Sequence, residues 1–196
     1  MPINYHPIVV HFPVALLPLA LIFVALHWGL GRRFGWLSSA GLTLAGVGFA
    51  FAYLAMVTGN WVGEVVEKQP GVREAVLEEH EGAGQFIGIL GLVALILLVL
   101  ILLVAWRSPA VRGRAVVLAE LVTLVVLVVL VPLTLSTAKL GGELVYEMGA
   151  GVKVLGGPGA PPVNFPQLTA LFGEREEEGA EDEVRPGGIY REEEDD

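Results

Sequence analysis

His6-Pro7-Ile8-Val9-Val10-His11-Phe12-Pro13-Val14-Ala15-Leu16-Leu17 opens a long apolar run with two imidazoles and two prolines. Pro7 suits the first helical position, where a missing N–H costs nothing, and this places His6 at the cap. Pro13 removes a bond from the ladder and is predicted to bend the helix just past His11. Histidine beside hydrocarbon is expensive enough to point to function. The stretch reads as the mouth of a site built at one membrane face.

Working outward, four apolar runs reach the roughly 20 residues that a helix needs to cross a bilayer. They cover about Ile8 to Gly29, Trp36 to Val57, Gly82 to Trp106 and Ala115 to Ser136. The first lacks a basic leader and a small-residue cleavage site, so it is expected to be a retained span and not a signal peptide. The chain of 196 residues is 54% hydrophobic, with a mean hydropathy of +0.67, well above a soluble protein. It has no cysteine, which excludes disulfides, thiolate metal sites and covalently attached c-type haem. The net charge of −9 is that of one segment: residues 174–196 hold twelve acids and three arginines. An acidic chain without basic clusters does not suit nucleic acid.

The short loops set an orientation. Arg32 and Arg33 lie in the first hairpin, and Arg107, Arg112 and Arg114 in the second, with no acid in either. The middle loop carries Glu64, Glu67, Glu74, Glu78, Glu79 and Glu81 against Lys68 and Arg73. The positive-inside rule puts both arginine hairpins in the cytoplasm and both termini outside. His6, His11 and His80 then converge on the outer face, and His27 alone falls at the cytoplasmic end. Pro70-Gly71 marks a turn in the middle loop, and Val72 to Glu79 is predicted as a short outer helix leading to His80. Trp61 is expected to anchor the outer interface, and Trp28, Trp36 and Trp106 the inner one. The expected organisation is a four-helix transmembrane domain over 1–153, a Gly/Pro-rich outer segment over 154–173 and a disordered acidic tail over 174–196.

Gly41, Ala45, Gly48 and Ala52 fall on one face of the second span, and Gly84, Gly88 and Gly91 pattern the third. Such faces let helices approach closely, within the bundle or in an oligomer. Those beneath His80 would also leave room for a flat cofactor. His11 and His80 are the candidate axial ligands of one b-type haem, with Lys139, Arg73 and Tyr146 as partners for its propionates. His6 either replaces His11 or serves as a cap. The plainer alternative is that these histidines bond to carbonyls at the interface. A metal ion held by His6, His11, His80 and a glutamate is a third arrangement, although the spacing matches no zinc signature. Glu120 is placed to relay protons, or to snorkel and pair with Arg112; His27 reads as interfacial.

His6-Pro7-Ile8-Val9-Val10-His11-Phe12-Pro13, together with Gly141-Gly142-Glu143-Leu144-Val145-Tyr146-Glu147-Met148-Gly149-Ala150-Gly151-Val152, resembles the signatures of a bacterial membrane family, domain of unknown function 2231. The resemblance covers about residues 5–153. It implies a four-helix membrane domain, and it implies redox company, since related domains occur beside Rieske-type and cytochrome c-type modules. Members often carry histidine where this chain has Met148, so that position is a weaker ligand candidate here.

The expected protein is an all-α four-helix bundle of a bacterial cytoplasmic membrane. It holds one haem b near the outer face and passes electrons to or from a redox protein or quinone. The alternative is a cofactor-free scaffold or assembly subunit. Paired half-helices and buried charge pairs that would favour a transporter are not evident.

Overall fold

Each apolar run becomes a helix, and three of the four helices outlast the run that starts them. The computed structural model describes residues 5–151. They form α1 (His6–Gly29), α2 (Gly35–Val66), α3 (Glu74–Arg107) and α4 (Arg112–Tyr146), with no strand among the described residues. All four are long and apolar enough to cross a membrane. α1 has 24 residues, but α2, α3 and α4 have 32, 34 and 35. At 1.5 Å per residue the longer three reach about 48–52 Å, against a hydrocarbon core of about 30 Å. From Glu74 on, the short outer helix expected over Val72–Glu79 is the first turns of α3 itself. The GGELVY segment is the last turns of α4. The segments expected over 154–173 and 174–196 lie outside the described residues.

The helices run up and down in sequence order. Val24 and Leu17 of α1 meet Gly41 and Gly48 of α2, while Met56 and Ala52 of α2 meet Gly88 and Gly91 of α3. α1 and α3 each pack on α2 and α4; α2 and α4 touch across the short diagonal, leaving α1 and α3 on the long one. Leu17, Ala20, Ala45, Phe49, Ala52, Leu127 and Leu130 form the central layer. Outside it, large apolar side chains such as Ile22, Ile89, Leu100 and Val125 are exposed, as expected where the solvent is lipid.

Gly41, Gly48, Gly88 and Gly91 pack against neighbouring helices inside the bundle. A Cβ at Gly41 would sit 2.7 Å from Val24 Cγ2, and one at Gly48 would sit 2.6 Å from Leu17 Cδ2. Gly41 and Gly48 therefore lie in the α1–α2 seam, while Ala52 of the same series packs on α3. α1 runs unbroken through Pro13 and Pro18. Its first residue is His6 and its cap is Tyr5, so His6 does not occupy the cap position.

The middle loop is held by a second, smaller cluster of Val66, Leu77, Leu144 and Ala150, with Met148 packed against it. Pro70-Gly71 makes the expected turn, with Gly71 at φ +91°. Gly149 at φ +68° lets the chain double back after α4, so that Ala150 N–H bonds to Leu144 O at 2.9 Å. Gly151 N–H donates to the Gln69 side chain at 3.0 Å, tying the end of α4 to this loop.

Candidate functional site

Two imidazoles meet where the long diagonal leaves room. His6 of α1 and His80 of α3 stand with ring centroids 6.3 Å apart and planes at 88°. The Nδ1 of His6 lies 3.0 Å from Ala55 O and 3.3 Å from Thr58 Oγ1, both on α2. The Nδ1 of His80 lies 3.1 Å from Thr137 O on α4. A carbonyl only accepts, so Nδ1 donates in both rings, and in the neutral tautomer Nε2 holds the lone pair. Glycine makes the seats. A Cβ at Gly59 would lie 3.0 Å from His6 Cε1, and one at Gly141 would lie 3.1 Å from His80 Cε1. Each ring thus rests on the backbone of a neighbouring helix, and four helices contribute to one pair.

His11 is not part of it. Its ring is exposed and its Nδ1 bonds to Pro7 O, one turn back in its own helix. The reason is rotational phase. The interior seam of α1 is Pro13, Leu17, Ala20, Val24 and His27, in steps of four and three. Carried backward, that seam reaches position 10 and then His6, and it misses His11. The ring that the structure brings beside His80 is therefore that of His6, and His11 lies apart from both. The quartet of His6, His11, His80 and a glutamate is not assembled either: among the described residues no group of three or more histidine, aspartate or glutamate side chains is placed to hold a metal ion.

Of the candidate propionate partners, Lys139 is exposed on α4. The Arg73 guanidinium pairs with Glu143 and lies 4.0 Å from Glu147. Tyr146 is 70% exposed. The Met148 sulfur accepts the Arg73 N–H at 3.4 Å, which commits it to the loop cluster. Beneath His80, a Cβ at Gly84 would meet nothing within 4 Å, but one at Gly88 would lie 2.5 Å from Met56 Cβ, so Met56 fills that space. A separate cavity of about 320 Å³ opens between α2 and α3, lined by Glu64, Glu67, Glu74, Glu78 and Glu81; neither histidine lines it.

The opposite end of the bundle holds a polar cluster that the sequence reading did not assemble. Glu120 of α4 is 1% exposed and His27 of α1 is 4% exposed. The Ser38 hydroxyl of α2 donates to Glu120 Oε1, and His27 Nε2 lies 3.5 Å from the same oxygen. His27 Nδ1 lies 3.1 Å from Phe34 O, in the first arginine hairpin. Glu120 Oε2 is buried without a hydrogen-bond partner. Glu120 neither snorkels nor pairs with Arg112, whose Nε donates to Ala105 O at 3.2 Å. His27 is interior and not interfacial. Of the four tryptophans, Trp36, Trp61 and Trp106 are exposed at helix ends, whereas Trp28 is half-buried with Arg32 over its ring at 5.2 Å.

The signal for this cluster was present as phase. On α4, Glu120 begins a buried series with Thr123, Leu127, Leu130, Thr134 and Thr137, and His27 ends the α1 seam. Polar residues on a heptad seam of an otherwise apolar helix mark inward positions.

No curated protein and no solved structure matches the chain. The long apolar helices, the paired histidines at one end and the Gly149–Gly151 reversal are carried by a stretch that a family profile takes in whole: the chain belongs to the family described as Predicted membrane protein (DUF2231), which matches residues 2–154.

Proposed function

We propose that the protein is a redox subunit of a bacterial cytoplasmic membrane, holding one haem b between His6 and His80 and exchanging electrons with a protein or quinone partner. One observation supports it above the others: imidazoles from two helices come together edge-on across the bundle's long diagonal, each with Nδ1 turned to a main-chain carbonyl. A carbonyl on Nδ1 fixes the ring and makes Nε2 the ligating atom, the usual second-shell arrangement of a histidine ligand. Two imidazole donors from different helices, with ring centres 6.3 Å apart, are the residues that would hold a haem iron. The donor set therefore fits an iron held by two histidines.

Bound there, the haem would supply one-electron exchange. The chain's own part is to hold the rings: Ala55 and Thr137 orient them, and Gly59 and Gly141 set how far each can tilt. Lys139, at the same end of α4 and in no ion pair among the described residues, is the cation available to a propionate. The arginine hairpins lie at the far end from His6 and His80, which under the positive-inside rule supports a site at the outer face.

The test is the colour of the protein. Purified in mild detergent from haem-replete cells, it is expected to carry a Soret band and α/β bands that sharpen on reduction. A colourless protein that takes up no added haem would overturn the proposal and leave a cofactor-free scaffold.

A further inference from the structure

The cluster at the arginine end has a proton to account for. Phe34 O can only accept, so His27 Nδ1 carries a hydrogen and donates it there. A neutral His27 would then turn the bare lone pair of Nε2 toward Glu120 Oε1, 3.5 Å away. If Glu120 were also ionised, two electron-rich atoms would face one another in a buried site, with Oε2 left without any donor. One further proton removes the conflict. It can sit on Nε2, giving an imidazolium beside a carboxylate, or on the carboxyl group, giving a neutral acid beside a neutral ring. Ser38 donates to Oε1 and supplies no such proton. Arg112 is engaged with Ala105 O, and no other charged side chain pairs with Glu120 or His27 among the described residues.

We infer that His27 and Glu120, steadied by Ser38, form a proton-binding site that holds one exchangeable proton and trades it with water on the arginine-hairpin side only. The direction follows from what surrounds the pair. Toward the histidine end, Leu17, Phe49, Leu127 and Leu130 are fully buried and close the interior with an apolar layer. Toward the other end, His27 lies two residues from the end of α1, Ser38 is the fourth residue of α2, and the hairpin's own Phe34 carbonyl caps His27. Opening of that hairpin is the short route to water. The inference concerns the opposite end of the bundle from His6 and His80 and does not depend on haem.

The experiment uses the full chain in lipid nanodiscs, with ¹⁵N-labelled histidine and infrared spectra in H₂O and D₂O. Two results support the site. Either wild type shows a protonated-carboxyl C=O band that Glu120→Gln removes, or both His27 nitrogens read as protonated and Glu120→Gln returns the ring to its neutral pattern. In either case D₂O must shift the signal. A neutral His27 with bare Nε2 beside an ionised Glu120 would overturn it, as would a proton that resists exchange while the hairpin amides exchange. Should Glu120→Gln fail to insert, the wild-type ¹⁵N pattern and carboxyl C=O band together still decide the matter: a neutral ring without a protonated-carboxyl band overturns the site. Ser38→Ala then serves as the second arm, moving the signals while the count of one proton holds.

Discussion

Glu120→Ala is the substitution whose effect can be worked most fully from the contacts. It removes the acceptor of the Ser38 hydroxyl and the partner of His27 Nε2, and both residues are buried. A buried polar group left without a partner costs about 1–3 kcal/mol, so the two together cost about 2–6 kcal/mol. The missing atoms leave a cavity in a fully buried place, adding about 1–2 kcal/mol. The expected loss is thus about 3–8 kcal/mol, a large share of a typical domain's 5–15 kcal/mol. Glu120→Gln behaves differently, because an amide NH2 in the place of Oε1 can donate both to the Ser38 hydroxyl oxygen and to the His27 lone pair. It should stay within about 1 kcal/mol of wild type. Reversible unfolding in mixed detergent–SDS micelles, followed by far-ultraviolet circular dichroism, measures both. An alanine variant as stable as wild type would refute the burial and the bonding together.

Two further expectations follow from the packing and the charge pattern. Gly41→Leu drives a side chain into Val24, whose backbone nitrogen would lie 3.1 Å from the new Cβ; it should cost about 3 kcal/mol in the same assay. Gly113→Leu, with nothing within 4 Å, should change stability by no more than about 0.5 kcal/mol. Since the chain has no cysteine, single cysteines report sidedness cleanly. Lys68→Cys should react with a membrane-impermeant maleimide on intact spheroplasts, and Ala110→Cys only after permeabilisation; the reverse pattern would contradict the orientation.

Much of the fold was legible in the sequence, and the reasons differ from element to element. The four spans and the arginine hairpins are written in hydropathy and charge, which lipid selects directly. The helix ends were not. α2 runs to Val66 past the expected Val57, α3 starts at Glu74 before the expected Gly82, and α4 reaches Tyr146 past Ser136. Beyond the hydrocarbon a helix needs no apolar side chains, so Glu64, Glu78 and Glu143 sit on helical backbone that a hydropathy reading takes for loop. The site was half legible. Depth along the helix brought His80 and the first span's histidines together, but depth cannot choose between His6 and His11. Rotation chooses, through a seam that only the packed Leu17–Gly48 and Val24–Gly41 contacts make plain. Glu120 and His27 were read by their nearness to the interface, which overlooked that both belong to interior seams.

The claim on which the functional reading rests is that His6 and His80, and not His11, hold the iron. Three alanine variants, purified from haem-replete cells beside wild type and compared by reduced-minus-oxidised visible spectra, test it directly. His6→Ala and His80→Ala are expected to lose the reducible α/β bands or convert them to a five-coordinate spectrum, while His11→Ala keeps the wild-type spectrum. Bands that survive in both His6→Ala and His80→Ala, or that vanish in His11→Ala alone, would contradict it.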